Sequence, residues 1–231
     1  MSPITSALAL LPETLTVAPA GVVVGVIAGV TGRYIESVWI GWALTTLGTG
    51  LLHILDIDTT TGQWIGLNIP VGIGTGMLFP ALALSIQAAC VPSLNAQAAA
   101  FFSFIRVFGQ AIGVAISGVI FQNAFRDELI KTAVPELVAA ADIYSRDATQ
   151  IVTLLQTLAD QPGEQELSSV LKHAYNESLR AIWITLVSLS AFALLLSATI
   201  KRYSLSQEHV TDQHLIEDVR AADEEVAVAA R

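Results

Sequence analysis

The chain has 231 residues, of which 53% are hydrophobic and only 13% charged, with a mean hydropathy of +0.63 and a formal net charge of −9. That much apolar surface exceeds what one soluble core can hide, so a water-soluble globular domain is excluded. The acidic balance, with no basic stripe to neutralise phosphates, excludes nucleic acid as a partner.

Residues 1–125 carry two basic groups, Arg33 and Arg106, and four acidic ones, Glu13, Glu36, Asp56 and Asp58; the other 25 charges lie beyond Phe125. Between charges the chain offers uncharged windows at 14–32, 37–55, 59–105, 107–125 and 181–200. About 20 residues, rising ~1.5 Å each, cover the ~30 Å hydrocarbon core of a bilayer, so such windows mark membrane helices. The sequence therefore reads as an all-α membrane protein with about five transmembrane helices, at 5–29, 37–55, 64–89, 97–121 and 181–200, plus one long extramembrane loop.

The first span lacks a preceding basic region and is too long for a cleaved signal peptide. Within it Glu13 follows Pro12, where a carboxylate either carries a proton or sits at a wetted loop edge. Gly21, Gly25 and Gly29 recur every fourth position and line one face, suited to close helix packing, with a moving hinge as the alternative. The second span has Trp39 and Trp42 near its start and His53 near its end, the latter an interfacial polar group in preference to a proton sensor.

A wet loop at 56–62 precedes the third span, which carries Asn68, Ser85 and Gln87. Each needs a partner if buried, an interhelical hydrogen bond before a substrate contact. Gly72, Gly74, Gly76 and Pro80 are tolerated in a membrane helix as a bend or a tight contact. They do not form a phosphate-cradling loop, because they lie inside an apolar span and no Lys-Ser or Lys-Thr follows. Pro92, within 90–95, breaks the long third window. Cys90 is the single cysteine, which excludes an intramolecular disulfide and a cysteine-built zinc site and leaves a small packing residue.

The fourth span repeats the small-residue pattern at Gly109, Gly113 and Ser117. It also holds Arg106, with Gln110 one turn later on the same face. A charge at this depth costs a few kcal/mol unless it faces protein or water. Arg106 is either structural, as half of an ion pair or as a brace between helices, or a donor to an anionic or polar ligand, or to proton coupling. Residues 122–178 alternate charges with leucine and alanine and read as a long extramembrane loop of short amphipathic helices, broken at Pro135 and at Pro162-Gly163. The last span lies within 179–202, and 203–231 form an acidic tail. Asn176-Glu177-Ser178 matches a glycosylation acceptor but falls too near the membrane surface for modification to be expected. The four histidines are scattered, so no metal site is expected. No enzyme constellation emerges and no cofactor is implied.

Several strings resemble the fungal major facilitator superfamily, specifically efflux proteins of its fourteen-span drug:proton antiporter branch. They are Leu10-Leu11-Pro12 through Gly32-Arg33-Tyr34, Trp39-Ile40-Gly41-Trp42, Gly74-Thr75-Gly76-Met77-Leu78-Phe79-Pro80-Ala81 with Gln87-Ala88, and Phe104-Ile105-Arg106-Val107-Phe108-Gly109-Gln110-Ala111-Ile112-Gly113-Val114 with Phe121-Gln122-Asn123. Their order matches the last five spans of that family, so the resemblance implies a partial carboxyl-terminal half. Gly32 and Arg33 then correspond to a reduced cytoplasmic loop motif without its usual acidic residue. The resemblance further implies that 30–36, 90–96 and the tail face the cytoplasm and 122–178 face outside. It implies proton-coupled efflux of small organic molecules at the plasma membrane, or alternatively the vacuolar membrane. Arg106, Gln110, Gln87, Asn68 and Glu13 are the substrate or coupling candidates, and the partners are the lipid bilayer, a small-molecule substrate, protons and a missing amino-terminal half. The competing expectation is a non-transporting truncated product or accessory subunit that packs through its small-residue faces.

Overall fold

The computed structural model describes residues 11–132, 134–146, 151, 153–154 and 165–203. Its elements are α1 (Leu11–Thr31), α2 (Ile35–Leu52), α3 (Thr61–Ala89), a 3₁₀ turn (Pro92–Leu94), α4 (Asn95–Lys131), α5 (Pro135–Tyr144) and α6 (Gln165–Ser197). No strand occurs among the described residues. Residues 5–10 of the expected first span, the Pro162-Gly163 break and the tail from 204 onward lie outside the described residues.

Local chemistry sets the boundaries. Gly32, at φ 67°, gives α1 a left-handed end while its amide donates to the Ala28 carbonyl at 2.8 Å. Asp56 and Thr59 close the next loop, with the Asp56 amide donating to Thr59 Oγ1 at 2.8 Å. The Thr60 amide, just before α3, donates to Gln63 Oε1 at 3.2 Å, one half of a capping box. Cys90 and Val91 are extended ahead of Pro92, as the proline ring requires of its predecessor. Pro135 opens α5 at a first-turn position, where the missing amide costs nothing.

Two helices outrun the spans expected from charge. With 37 residues in α4 and 33 in α6, at ~1.5 Å per residue they reach about 55 and 50 Å, well past a ~30 Å hydrocarbon core. Ionised residues end an apolar window without ending a helix, since Arg126, Glu128 and Lys131 are good helix formers. Beyond the apolar part, Phe121, Phe125 and Leu129 of α4 meet Leu137 and Ala141 of α5, Ile151, and Leu171 and Ala174 of α6 in one buried cluster. The described parts of 122–178 thus pack as helices around a cluster of their own. Asn176 lies inside continuous helix and donates to Asp56 Oδ1 at 3.1 Å, and Ser178 is fully buried; neither is presented as a glycosylation acceptor would be.

Four helices are long and apolar enough to cross a membrane: α1, α3, α4 with the turn before it, and α6. α2 falls outside that group because Glu36, Thr45, Thr46 and Thr49 dilute its apolar residues. It packs against both α3 and α6, and a helix facing other helices needs less apolar surface than one facing lipid. Its threonine hydroxyls donate to its own backbone, Thr45 to the Gly41 carbonyl and Thr49 to that of Thr45, each at 2.8 Å.

The tightest packing is the seam where α3 meets α1 and α2. On α3, Gly72 and Gly76 lie one turn apart and face α1, where a Cβ would strike Thr16 and the Glu13 carbonyl, or the Val17 backbone. Gly74, about 200° round the helix, faces α2, and its Cβ would stand 2.6 Å from the Thr45 amide nitrogen. Gly48 of α2 answers it, 2.7 Å from the Val71 nitrogen by the same measure. Pro80 removes the amide that would bond the Gly76 carbonyl, and that carbonyl turns toward Gly21 of α1, 3.3 Å from where a Cβ there would sit. Small residues thus let three backbones approach closely. Outward faces are the reverse: Val30 of α1 is 83% exposed, Val114 of α4 75% and Leu195 of α6 72%. Apolar side chains bared in rows on long helices have hydrocarbon as their solvent.

Candidate functional site

Most ionised groups of the described residues gather toward the two ends of the bundle; Glu13, level with Gly72 of α3, and Arg106 do not. At one end Glu36 accepts from Arg33 at 3.1 Å and from Arg202 at 2.8 Å. Tyr34 Oη donates to the Tyr203 carbonyl at 3.1 Å and accepts from its amide at 3.2 Å, and Trp39 Nε1 donates to the Ser197 carbonyl at 2.9 Å. The loop holding Gly32 and Arg33 is therefore fastened to the exit of α6. A shallow crevice runs along this contact between Gly32 and Tyr203. At the other end Asp56, in the α2–α3 loop, lies 3.6 Å from Arg180 of α6. Between α4 and α5 Arg126 donates to Asp142 at 2.5 Å, and that bond holds the Asp142 carboxyl below its ordinary range.

The cation away from the ends is Arg106, in mid-α4. Its guanidinium carbon sits 4.4 Å from the centre of the Phe79 ring of α3, a cation–π contact of ~0.5–2 kcal/mol. Phe79 in turn meets Phe102, with ring centres 6.0 Å apart. Among the described residues no carboxylate lies within ion-pair distance of Arg106. No ion pair of Arg106 occurs among them; its contact with the Phe79 ring instead bridges α4 and α3, as the helix brace of the structural reading would. Spacing puts Phe102, Arg106, Gly109, Gln110, Gly113 and Ser117 on one face of α4, where Arg106 and Gln110 are exposed and Ser117 half-buried. Beside Gly109 and Gly113 no atom lies within 4 Å of where a Cβ would stand.

The other candidates are dispersed. Asn68 is half-buried and donates to the Trp64 carbonyl at 2.9 Å, one turn back on its own helix. Gln87, also half-buried, lies two turns beyond Phe79 on α3. Glu13 is half-buried at the start of α1, with its carbonyl in the seam against Gly72. No hydrogen bond or ring contact among the described residues links Arg106 to Gln110, Gln87, Asn68 or Glu13. The small-residue faces divide likewise. Gly21 meets α3, whereas Gly25, Gly29, Gly109 and Gly113 face open space. Sequence reasoning missed Phe79 and Phe102; an aromatic residue one turn before a lone membrane arginine was the available signal.

Apolar helices with most charge toward their ends, a glycine seam inside and a cation in the bare middle of α4 define a polytopic helical membrane protein. No protein-family model matches the chain, and no solved structure matches it significantly. Curated fungal proteins do. A protein named an MFS transporter, from Phoma sp., is 41% identical over 225 residues, covering 97% of this chain and 37% of its own length. The MFS-type transporter of an acurin A biosynthesis cluster, from Aspergillus aculeatus, is 33% identical over 91% of this chain and 38% of its own length. An efflux pump from Gibberella moniliformis is 31% identical over 94% of this chain and 38% of its own length. Over nearly all of its own length, then, the chain is similar to fungal proteins named as transporters of the major facilitator superfamily. It spans somewhat over a third of the length of the curated relatives it matches.

Proposed function

We propose that the chain supplies the carboxyl-terminal spans of a proton-coupled efflux transporter for small organic compounds, with α2 as the fifth span beside the four more apolar helices. The observation that carries this reading is the face of α4 around Arg106. A cation kept at membrane depth, exposed and without a described carboxylate, is costly unless it serves a polar solute or a water-filled path. In transporters built from repeated halves, solute sites lie near the bilayer midplane at the interface between halves. Gln110, and Gln87 at a different level of α3, would add hydrogen-bonding groups to such a path. The names of the relatives, transporters and efflux pumps, support export.

In this reading the Gly32-Arg33 loop, the turn at 90–95 and the start of the tail face the cytoplasm of a plasma-membrane protein, and the α4–α5–α6 layer faces outside. Glu13 is the proton-carrying candidate of α1. The test is efflux by the full-length protein in yeast lacking its own drug exporters, loaded with rhodamine 6G, Nile red or 1-naphthoate. Export of at least one probe that stops when a protonophore collapses the gradient is expected. Retention of all three would favour a helix-packing accessory role instead.

A further inference from the structure

Arg106 is presented to a ligand in a particular way. The Phe79 ring lies against the guanidinium, its centre 4.4 Å from the guanidinium carbon. A guanidinium offers paired donors matched to the two oxygens of a carboxylate. Phe79 itself is 49% exposed, so an aromatic surface continues beside the cation. Phe102, one turn before Arg106, meets the same Phe79 ring. The middle of α4 is bare on every side, with residues 103–116 all exposed, and at Gly109 and Gly113 no side chain of its own fills the space along the face that carries Arg106. The described residues supply the cation, the aromatic platform and the room, but no counter-anion.

From this arrangement we infer that the site selects organic acids: compounds with a carboxylate for Arg106 and a flat apolar body for Phe79 and the glycine-lined face. The inference rests on the transport reading and narrows its substrate class. Cationic compounds are disfavoured, because no described anionic group stands beside Arg106 to receive them and like charges repel. Neutral compounds find the aromatic surface but leave the guanidinium unsatisfied.

The test uses the full-length protein in lipid nanodiscs and three probes of one shape: 1-naphthoate, neutral 1-naphthamide and cationic 1-naphthylmethylammonium, measured by equilibrium dialysis. The acid is expected to bind about tenfold tighter than the amide, in keeping with a charge-assisted paired hydrogen bond. Arg106→Gln should bring the two within about twofold, and Arg106→Lys should keep only part of the preference, since an ammonium is not bidentate. Phe79→Leu should weaken acid and amide by a similar factor, roughly threefold, and leave their ratio less changed than Arg106→Gln does. Equal binding of acid and amide, no binding of either, or a preference that survives Arg106→Gln would each overturn the inference. A carboxylate from elsewhere in the longer protein already seated on Arg106 would give the first or second of these results. The acid preference with no gradient-driven export would sink the transport reading and leave this one standing. Export of rhodamine 6G or Nile red with no preference for the acid would do the opposite.

Discussion

The α1–α3–α2 seam and the open face of α4 use the same residue, glycine, to opposite ends. In the seam, Gly72, Gly74, Gly76 and Gly48 stand where a Cβ would strike neighbouring backbone or side chains, so they set how closely three helices approach. On α4, Gly109 and Gly113 touch nothing and leave space beside a lone arginine. Gly72 and Gly76 are spaced four residues apart, as Gly109 and Gly113 are. What differs is whether a second helix covers the face, and that is a property of the packed molecule.

The comparison breaks most readily at the seam. Gly76→Val would push a branched side chain into the Val17 backbone, which cannot give way as a flexible side chain would. A loss of about 3 kcal/mol or more is expected, seen as disappearance of the monodisperse peak on detergent size exclusion, whereas Gly25→Ala should elute as wild type. Next in size is the tie between the α2–α3 loop and α6. Arg180→Ala removes the contacts to Asp56 and Glu177 at a partly exposed site, and should lower thermal stability by about 1 kcal/mol or less.

Gly109→Ala with Gly113→Ala sharpens the contrast by inverting it. With nothing to strike, the exchange should leave stability unchanged or raise it by up to about 1 kcal/mol per site, as alanine favours helix, while binding of 1-naphthoate weakens. A fall in stability would show that this face is packed. The smallest effect belongs to Asp142, whose carboxyl is held low by the hydrogen bond from Arg126. A depressed folded value means that the stabilisation is complete above the ordinary aspartate range, near ~4, and is lost as pH falls through the lower folded value. Asp142→Asn should therefore flatten part of the acid-side fall in melting temperature and leave neutral pH nearly unchanged, the pair being exposed and screened.

Much of this architecture is legible in the sequence, because an ionised side chain is costly in hydrocarbon and charge-free windows reveal the spans. The break at Pro92 was legible for a local steric reason. The far ends of α4 and α6 were not, since charge reports where water begins and says little about where a helix ends. Phe121, Phe125 and Leu129, spaced one turn apart before α5, were the readable sign of the cluster that α4 forms with α5 and α6. α2, the less apolar helix, packs along one side on α3 and α6 and bares Trp39, Ile40 and Leu47 on the other. At the site, Arg106 was conspicuous as the lone cation of its window, but its ring partner sits on another helix and no local pattern pairs them. Which glycines meet a neighbour is decided by tertiary packing, so the same four-residue spacing gave one contact at Gly21 and none at Gly25 or Gly29.

The most direct test of the account asks what solvent surrounds the bare apolar faces. Single cysteines introduced by Val30→Cys, Val114→Cys and Leu195→Cys, with Cys90→Ser, would carry nitroxide labels in lipid vesicles. Collision with oxygen, which concentrates in hydrocarbon, would be compared with collision with a water-soluble nickel chelate. Labels at 114 and 195 should meet oxygen far more often than the chelate, and the label at 30, near the end of α1, should show less of this bias. Labels at 114 and 195 that meet the chelate as freely as oxygen would place these helices in water and contradict the account at its root.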